Sequence, residues 1–476
     1  MSVLEELCRL PLLLNAVFLE KVNIINWIRG REGMHINLVD FDQVLFYTRE
    51  ALTKAYQEAF RIHGFVISEQ QLIEIEGQSI VQLFDNLNIH DEHLRSEIRR
   101  FKKENYKTYF KYIIPNIDLL SLPNKVIVSN ASSEDIADIL TYYNITDVMG
   151  IIGRDKVKKL KPHPDPYLQA MNSFPATSYT IYEDSDTGLA AAKAAMQSVE
   201  YKHKINIVKV DLQITEFKGG SGQLIRKLNN KIDKITTTNS ALLTLKRNKV
   251  PVPEIYFSND EKIIMEYVEG DLLYNQYTNE KHFKKLMELQ GNIRKIHYIN
   301  GCSTTTYIER LKDHSKYFSA DPELTYIFNY CCKSLLEHQE LFNNERSFCH
   351  GDFTLSNIIV KDDKLVVIDP NINDNAMSSW LLDISKLLQS TRGYEYIFGI
   401  SKNENRPELI KLRKSIMTSL SPELIPLVET LELSHWLRML RYKKEIGHND
   451  FIKARDITIE ILKELESETW QTQLLY

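Results

Sequence analysis

The sequence predicts two folds in series: an α/β fold with a parallel sheet, then an α+β domain whose strands precede its helices. Up to about residue 204, short β-rich runs alternate with helical stretches, which is typical of a parallel sheet with helices on its faces. Farther along, short strands reach about Tyr267 and helices follow from about Lys281, with one hairpin near residue 360. The length of 476 residues accommodates both domains.

The first domain is defined by three β-rich runs, at residues 36–39, 125–128 and 178–182. Between the first two runs, residues 50–116 carry apolar side chains at helical spacing. In an open α/β sheet, ligands bind beyond the carboxyl ends of the strands. A helical insertion directly after the first strand therefore predicts a lid over the site.

The composition is that of an ordinary globular protein, with 43% hydrophobic and 26% charged residues. The net charge of −5 comes from 59 basic and 64 acidic residues. This near balance gives no reason to expect a nucleic acid or an anionic membrane as partner. No uninterrupted apolar run reaches the roughly 18 to 20 residues that span a bilayer.

The five cysteines include no Cys-x-x-Cys pair, so neither a disulfide framework nor a zinc site is expected. This cysteine usage fits a reducing cytosol, and we expect a cytoplasmic protein. Met34 opens a segment that looks like a natural domain start, so residues 1–33 are interpreted as an amino-terminal appendage.

The first run ends in an aspartate pair, Asp40 and Asp42. Carboxylates two residues apart on extended backbone point the same way. One of them can attack phosphorus as a nucleophile while the other transfers a proton. By itself, an Asp-x-Asp pair is weak evidence, since two solvated loop carboxylates are the commoner explanation.

Three further segments strengthen the functional interpretation. The second run ends at Ser129 and Asn130, which offer a hydroxyl and an amide to a phosphoryl oxygen. Lys161 stands in a proline-rich loop and can neutralise phosphate charge. The third run ends at Glu183 and Asp184, whose carboxylates can complete an oxygen shell for Mg²⁺.

These four segments, in this order, resemble haloacid dehalogenase-type (HAD) phosphotransferases with a Rossmann-like core and a helical cap after the first motif. The resemblance covers about residues 34–200. It implies that Asp40 is the nucleophile, Asp42 the general acid and base, Ser129 the phosphoryl holder and Lys161 the neutralising cation. It also implies that Asp40, Glu183 and Asp184 bind Mg²⁺. An acid at Asp42 favours phosphoryl chemistry over carbon–halogen chemistry, and either a phosphatase or a mutase is compatible with these residues.

Gln43 departs from the HAD pattern, which usually has glycine there. If the position requires an unusual backbone angle, Gln43 costs roughly 1 kcal/mol or more. The departure also brings an amide to the mouth of the site, and it removes no catalytic group.

A second constellation begins with His350, Gly351 and Asp352, followed by Asn357. An Asp-x-x-x-x-Asn spacing is that of kinase catalytic loops, in which the aspartate accepts the substrate proton and the asparagine binds Mg²⁺. Residues 358–368 form two apolar runs around residues 362–363, which indicates a hairpin. Counting outward from that turn pairs residue 357 with residue 368, and this places Asn357 beside Asp369.

This segment resembles the aminoglycoside phosphotransferase and choline kinase-like family, small-molecule kinases with a two-lobed protein-kinase-like fold. The resemblance covers about residues 210–450. It implies that Asp352 is the catalytic base, that Asn357 and Asp369 hold Mg²⁺, and that Asp383 braces the catalytic loop. Backbone groups from Glu266 to Val268 would meet the nucleotide base.

The amino-terminal lobe of this domain matches less well. The glycine cluster is a candidate phosphate-covering loop, with Gly220, Ser221 and Gly222, although a cluster of this kind is often only a turn. Lys227 or Arg226 can supply the phosphate-binding cation, and Lys227 is favoured; only one of them can point inward because strand side chains alternate. The glutamate expected on the next helix is missing, which leaves a degenerate, regulatory domain as an alternative.

The leading hypothesis is a bifunctional Mg²⁺-dependent enzyme, a HAD-type phosphatase fused to a small-molecule kinase that uses ATP or GTP. The alternative is a HAD phosphatase or mutase with a regulatory kinase-like domain. The expected partners are a phosphate ester and a hydroxyl acceptor such as a sugar or an amino alcohol. The expected domains are residues 34–204 with a cap at about 50–120, and residues 205–476 with lobes at about 210–270 and 271–476.

Overall fold

The computed structural model describes residues 34–74, 80–199, 203–218, 224–236, 240–277, 280–298, 303–371, 378–402, 406–446 and 448–473. The expected appendage at residues 1–33 and the glycine cluster lie outside these residues. The chain divides into two compact units, of which one ends at Ile235 and the other begins at Thr236. Each unit has its own hydrophobic core.

A five-stranded parallel sheet forms the centre of the first unit. Its order is β5-β4-β1-β6-β7, and every neighbouring pair is parallel. The three predicted runs are the three central strands, which are buried because helices cover the sheet. The strands are β1 (His35–Val39), β4 (Lys125–Val128), β5 (Val148–Ile152), β6 (Ser178–Glu183) and β7 (Lys204–Lys209).

The fifth strand, β7, lies where the sequence indicated a linker followed by one new strand. Two strands occur there instead, β7 and then β8 (Ile214–Lys218). β7 pairs with β6 along its whole length and extends the parallel sheet. Polar and apolar residues alternate over residues 204–207 of this strand, which is the pattern of a half-buried edge strand. A short sequence window does not separate this pattern from a linker.

The expected helical insertion is present between two short antiparallel strands, β2 (Phe46–Tyr47) and β3 (Ile114–Pro115). These strands form the stem of the cap. Phe60 and Phe84 lie at the centre of its core, with ring centroids 5.5 Å apart. The cap helices are Arg49–Ile62, Glu69–Glu74, Ile80–Asn86 and Glu92–Asn105, followed by a 3₁₀ helix at Tyr106–Tyr112.

Helices cover the parallel sheet and pack on it through alanines and other apolar side chains. The longest of them, Asp186–Val199, buries Ala191, Ala192 and Ala195. The other helices of this unit are Ile117–Leu120, Ser133–Tyr142 and Asp165–Ser173. An antiparallel meander ends the unit, with β8, β9 (Leu224–Leu228) and β10 (Lys231–Ile235).

The second unit begins with a helix and a β-hairpin and is otherwise mostly helical, so the predicted α/β class followed by an α+β domain is confirmed. Its strands are β11 (Ile255–Ser258), β12 (Lys262–Glu266), β13 (Asp271–Leu272), β14 (Ile358–Lys361) and β15 (Lys364–Val367). Its helices are Ser240–Arg247, Leu273–Gln276, Glu280–Arg294, Thr304–Ser315, Pro322–Glu337, Gln339–Asn344, Trp380–Thr391, Tyr394–Ile397, Pro407–Ser419, Ile425–Ile446 and His448–Gln473.

The helix Trp380–Thr391 is the centre of the second unit, because all twelve of its residues are buried. Its apolar side chains join a core that also contains Phe353, Leu355 and Ile358 from the predicted catalytic loop and hairpin. That loop therefore packs against this buried helix. Among the described residues, no helix combines the length and the hydropathy needed to cross a membrane.

Candidate active sites

The first candidate site lies at the carboxyl ends of β1, β4 and β6. Lys161 is its central group: the ammonium donates to Asp40 Oδ1 at 2.6 Å, to Glu183 Oε1 at 2.6 Å and to the Val128 carbonyl at 2.7 Å. All three partners stand at strand ends, as parallel-sheet topology requires. The structure thus brings Asp40, Lys161 and Glu183, which are distant in sequence, into direct contact.

An acidic cluster surrounds this lysine. One carboxylate oxygen each from Asp40, Glu183 and Asp184 lies within 4.8 Å of the others. Glu183 Oε2 is buried and has no hydrogen-bond partner among the described residues. A buried carboxylate oxygen without a donor is expensive unless a cation meets it. Three hard oxygen donors in this arrangement fit Mg²⁺.

The electrostatics of the cluster agree with this assignment. Burial, and then the charge of Asp40, raise the pKa of Glu183 to about 7, against the opposing effect of Lys161. The same two causes raise the pKa of Asp184 to about 6. The positive charge of one lysine therefore does not balance the negative charges of three carboxylates. A divalent cation would lower the pKa values of both Glu183 and Asp184.

Asp42 has a different environment from the cluster. The Thr48 hydroxyl donates to Asp42 Oδ1 at 2.5 Å. Burial raises the pKa of Asp42 to about 6, while the hydrogen bond from Thr48 opposes the shift. A carboxyl group with this pKa can both give and take a proton near neutral pH.

Gln43 adopts φ +60°, in the left-handed region that glycine tolerates best. This position therefore has the unusual backbone angle for which the sequence analysis expected a cost of roughly 1 kcal/mol or more. The Gln43 side chain turns toward Thr48, to which its Nε2 donates at 3.3 Å. Gln43 and Thr48 thus form a short chain of hydrogen bonds that ends on Asp42.

Ser129 and Asn130 follow β4, as predicted. Ser129 is buried, and its Oγ accepts from the backbone N–H of Ala131 at 3.0 Å. The Asn130 amide accepts from Lys161 N at 3.0 Å and donates to Lys161 O at 3.2 Å. Asn130 therefore holds the backbone of the lysine loop, a role that the sequence analysis did not assign to it.

The sequence analysis also missed Tyr167 and Gly188. The Tyr167 hydroxyl donates to Glu183 Oε1, the oxygen that also meets Lys161. A Cβ atom at Gly188 would overlap the Glu183 carboxylate, so only glycine leaves room for it. Gly188 follows the acidic motif directly, which is a usable signal, whereas nothing in the sequence marks Tyr167.

The second candidate site is built on the β14–β15 hairpin. Lys361 pairs with Lys364 and Ile358 with Val367, so the predicted register is confirmed. Asp362 and Asp363 both have positive φ, as a two-residue type I′ turn requires. At the open end, the Ile368 N–H donates to the Asn357 carbonyl at 2.9 Å, and this places Asp369 next to the asparagine.

Asp352 lies beside Asn357 in the catalytic loop. Asn357 Nδ2 donates to Asp352 Oδ2 at 3.0 Å and to the Asp352 carbonyl at 2.9 Å. Lys386 Nζ lies 3.2 Å from the other carboxylate oxygen, Oδ1. Lys386 was not predicted, although it lies in the same helix as Asp383, because it stands 34 positions downstream of Asp352 and belongs to none of the motifs that the sequence analysis used.

Asp383 braces this loop, as the sequence analysis expected. Its two carboxylate oxygens accept from the backbone N–H groups of His350 at 2.8 Å and Gly351 at 2.9 Å. Asp383 is fully buried, and burial raises its pKa to about 7 although both hydrogen bonds oppose the shift. The loop is thereby tied to the buried helix Trp380–Thr391.

The predicted nucleotide-contacting residues are only partly described. Gly220, Ser221 and Gly222 lie outside the described residues. Val268 is buried, and Glu266 Oε1 accepts from Lys361 at 2.6 Å. Lys227, the favoured cation, is half-buried in β9.

Arg226 occupies the opposite face of β9 from Lys227, in agreement with the predicted alternation. Its guanidinium is 1% exposed and is bound to Asp233, Glu50 and the Tyr112 carbonyl. Arg226 is therefore committed to structural ion pairs within its own unit, which leaves Lys227 as the better candidate for a phosphate contact.

Two different family models match the two regions that contain the candidate sites. Residues 38–199 match the model described as haloacid dehalogenase-like hydrolase. Residues 229–390 match the model described as phosphotransferase enzyme family. Both resemblances that the motifs indicated are thereby confirmed.

Several solved structures are similar to parts of this chain. A HAD-superfamily hydrolase of subfamily IA from Geobacter sulfurreducens is 19% identical with a TM-score of 0.30, over 34% of this chain and 83% of that one. A hydrolase from Streptococcus pneumoniae is 17% identical with a TM-score of 0.28, over 37% and 92%. An ADP-bound aminoglycoside phosphotransferase is 16% identical with a TM-score of 0.36, over 54% and 95%. No curated protein matches the chain.

Proposed function

Because the chain joins a haloacid dehalogenase-like hydrolase region to a phosphotransferase-family region, we propose that it is a bifunctional enzyme that removes and adds phosphoryl groups on small molecules. Both families indicate catalysis of phosphatase and kinase type. The finer assignments of residues, metal and nucleotide belong to the same proposal, and the geometry of the two sites supports them.

In the phosphatase site, Asp40 is the nucleophile. It attacks the phosphorus of a phosphate ester, the ester oxygen leaves as an alcohol, and Asp42 gives that oxygen its proton. Water then attacks the aspartyl-phosphate, Asp42 takes a proton from that water, and inorganic phosphate is released. Ser129 holds the phosphoryl oxygens and Lys161 neutralises their charge.

Asp40, Glu183 and Asp184 would hold Mg²⁺, which supplies charge neutralisation for the phosphoryl group when bound. The buried, unpartnered Glu183 Oε2 is the observation that supports this ligand set most directly. Gly188 keeps the space in which that carboxylate lies.

In the kinase site, Asp352 is the base for the acceptor hydroxyl. The acceptor oxygen attacks the γ-phosphorus of ATP or GTP, its proton passes to Asp352, and the nucleoside diphosphate leaves. Asn357 and Asp369 would hold Mg²⁺, while Glu266 and Val268 offer backbone groups to the base. Lys227 and the loop with Gly220, Ser221 and Gly222 would contact the phosphates.

The single observation that carries the proposal is that neighbouring side chains hold one carboxylate in place in each site. Asp40 is fixed by Lys161 at 2.6 Å, and Asp352 is fixed by Asn357 at 3.0 Å and Lys386 at 3.2 Å. A reactive carboxylate held on a rigid sheet end or loop is what phosphoryl transfer requires of a protein. The pairing of β7 with β6 supports a phosphatase region that extends to Lys209.

A second candidate is a phosphatase or mutase whose kinase-like region only regulates. The observation that favours it is the helix Ser240–Arg247, which follows the meander and contains no glutamate to pair with Lys227. Direct binding of ATP and GTP with Mg²⁺ separates the two candidates, since a degenerate site binds weakly.

The test uses an Asp40→Asn chain, in which the phosphatase is disabled and the kinase is intact. This protein is incubated with ATP, GTP and Mg²⁺ in a metabolite extract, and mass spectrometry identifies species that gain one phosphoryl group. We expect at least one such species, whose formation stops in the chain that also carries Asp352→Asn. Chelation of Mg²⁺ should stop the kinase activity of this chain and the phosphatase activity of the wild-type chain, and added Mg²⁺ should restore each.

Wild-type protein is then added to the same reaction. A species that disappears indicates two opposed activities on one substrate, and a species that persists indicates separate steps. If no species gains a phosphoryl group, the kinase assignment is wrong for every metabolite in the extract. The cytoplasm, where nucleotide and Mg²⁺ are available, is the compartment that we propose for both reactions.

A further inference from the structure

One face of the buried helix Trp380–Thr391 holds the proposed catalytic loop at successive points. Asp383, Lys386 and Ser390 stand three and four positions apart, so they share this face. Asp383 and Lys386 hold the beginning of the loop. Ser390 holds a point farther along, because its Oγ accepts from the Leu355 N–H at 3.0 Å.

The loop ends in a single 3₁₀ turn, Leu355–Asn357. The first N–H groups of a helical turn have no partner within the turn. Thr354, which precedes the turn, makes no capping hydrogen bond with its side chain, and the Asn357 N–H returns to the Thr354 carbonyl at 3.1 Å. The N–H groups of Leu355 and Ser356 therefore need acceptors from outside the loop.

Glu395 provides the acceptor that the helix does not. Its Oε1 accepts from the Ser356 N–H at 3.2 Å and from the Ser390 hydroxyl at 2.7 Å. Because Ser390 Oγ in turn accepts from Leu355, one carboxyl oxygen holds both N–H groups of the turn. It holds the first through Ser390 and the second directly.

The backbone around Glu395 fixes the position from which its side chain acts. Glu395 lies in the short helix Tyr394–Ile397, which follows Gly393. Gly393 has φ +83°, a left-handed angle that glycine adopts without strain. The Glu395 carbonyl then accepts from the N–H groups of Ile400 at 2.8 Å and Ser401 at 3.0 Å. The carboxyl group is thus presented to the loop from an ordered segment.

The environment of Glu395 shows which part of its side chain the fold uses. The residue is fully buried, and its Oε2 has no hydrogen-bond partner among the described residues. Burial raises the pKa of Glu395 to about 8 against the hydrogen bond from Ser390, so the uncharged acid predominates at pH 7. Burying a polar atom without a partner costs free energy, and packing alone would favour an apolar side chain here. The two hydrogen bonds to Oε1 are therefore the contribution that distinguishes this glutamate.

We propose that Glu395 is a positioning residue of the kinase site, which holds the turn Leu355–Asn357 and thereby keeps the proposed metal ligand Asn357 beside the base Asp352. Asn357 is the last residue of the turn, and its amide donates to Asp352 Oδ2 at 3.0 Å. Like the role of the base itself, this role rests on the proposed kinase function. Glu395 lies beyond the residues that match the phosphotransferase family model, which end at residue 390.

The first test measures the hold on the loop and does not depend on turnover. Hydrogen exchange is followed in the Asp40→Asn chain by mass spectrometry with fragmentation to single amides. Glu395→Ala should speed exchange of the Leu355 and Ser356 amides about tenfold or more, because both lose their acceptors or the support of them. Exchange in the hairpin strands Ile358–Lys361 and Lys364–Val367 should stay as in the parent chain.

The second test separates positioning from general stability. The parent and the variant are incubated with the metabolite extract and Mg²⁺ while the nucleotide concentration is varied. Glu395→Ala should lower the rate at saturating nucleotide about ten- to a hundredfold, because a small displacement of reacting groups costs that much. The nucleotide KM should stay within about threefold, since the proposed contacts to the base lie on another segment. A loss of folded protein would lower the amount of active enzyme and speed exchange throughout the unit.

Two matched variants complete both tests. Glu395→Gln keeps an oxygen acceptor in the same place without an ionisable group, so it should restore slow exchange and most of the rate. Glu288→Ala removes an exposed glutamate from the same unit and should change neither quantity.

Three results would overturn the assignment of Glu395. They are unchanged exchange of Leu355 and Ser356 in the Glu395→Ala chain, faster exchange with an unchanged rate, and equal losses in the Gln and Ala variants. If the parent chain phosphorylates no metabolite while the Glu395→Ala chain still exchanges faster at these two amides, the kinase function has failed alone and the hold of Glu395 on the turn stands.

Discussion

The two carboxylates that we propose to be catalytic have opposite electrostatic surroundings. Asp40 belongs to an acidic cluster with one lysine, in which the pKa values of Glu183 and Asp184 are raised to about 7 and about 6. Asp352 belongs to a basic surrounding, where one oxygen meets Lys386 and the other meets an amide. In the first site, Glu183 Oε2 has no hydrogen-bond partner among the described residues, whereas both carboxylate oxygens of Asp352 in the second site lie near a donor. The two carboxylates therefore differ in the sign of the charge that is nearest to them.

The largest expected effects come from replacing each of the two carboxylates with an amide, one at a time. Asp40→Asn should lower phosphatase kcat at least about ten-thousandfold, because no other group can form the aspartyl-phosphate. Asp352→Asn should lower kinase kcat by about a thousandfold or more, because the acceptor hydroxyl loses its base. Each variant should leave the other activity within about twofold, which is measured with separate phosphatase and kinase assays.

Both proteins must keep the wild-type unfolding midpoint for this comparison to hold. If one substitution removes both activities from a folded chain, the two sites do not act separately. If Asp40→Asn retains phosphatase activity, the nucleophile has been assigned to the wrong residue.

The second largest effect concerns how each site is held by the fold. Asp383→Ala leaves two N–H groups without acceptors, the buried one of His350 and the partly buried one of Gly351. At about 1–3 kcal/mol for each unsatisfied group, the second unit should lose about 2–6 kcal/mol of unfolding free energy. Urea denaturation followed by hydrogen exchange in the catalytic loop measures this loss.

Asn130→Ala is the matched change in the first unit, since Asn130 also makes two hydrogen bonds to one loop. Asn130 is only half-buried, so water can replace part of what is lost, and about 1–2 kcal/mol is expected. A larger loss for Asn130→Ala than for Asp383→Ala would mean that burial does not decide the difference.

A smaller effect is expected on the pH dependence of the phosphatase. Burial holds the pKa of Asp42 at about 6, so kcat/KM should fall as the pH rises through that value and the general acid loses its proton. The Thr48 hydroxyl stabilises the carboxylate form and opposes the rise. Thr48→Val should therefore raise the pKa of Asp42 further and move the falling limb to higher pH.

Thr48→Ser keeps the hydroxyl donor, so the falling limb of its pH profile should stay at the wild-type position. The profiles are measured at saturating Mg²⁺ with a substrate whose own ionisation lies outside the range. An identical shift in the Ser and Val variants would show that packing, and not the hydroxyl, sets the pKa of Asp42.

The strand ends and the hairpin were predictable because their signals are local. Apolar runs that end in Asp40, Ser129 and Glu183 indicate a parallel sheet with a polar edge, and a two-residue Asp turn fixes the register of the hairpin at Asn357. These features depend only on residues close in sequence, together with the rule that parallel strands end at the same edge.

Contacts made through helix packing were not predictable in this way. Lys386 reaches Asp352 because the buried helix Trp380–Thr391 packs against the loop that contains Asp352, and Tyr307 reaches Ser434 because two helices pack against each other. Helical periodicity indicates which residues share a face, but it does not indicate which other face they meet. Glu432 illustrates the same limit, because its two arginine partners, Arg392 and Arg413, come from other parts of the chain.

The smallest expected effect tests the backbone at Gln43. With φ +60°, Gln43 is strained where glycine is not, and Gln43→Gly should stabilise the first unit by up to about 1 kcal/mol. Gln43→Ala keeps the strain while removing the same side chain, so the difference between the two variants isolates the backbone term. Chemical denaturation measures both. If the Gly and Ala variants are equally stable, the left-handed backbone angle has no energetic cost at this position. If the Gly variant is more stable than the wild type but less active, the Gln43 amide contributes to catalysis through Thr48. In that case, the backbone strain at Gln43 is the cost of keeping Asp42 oriented.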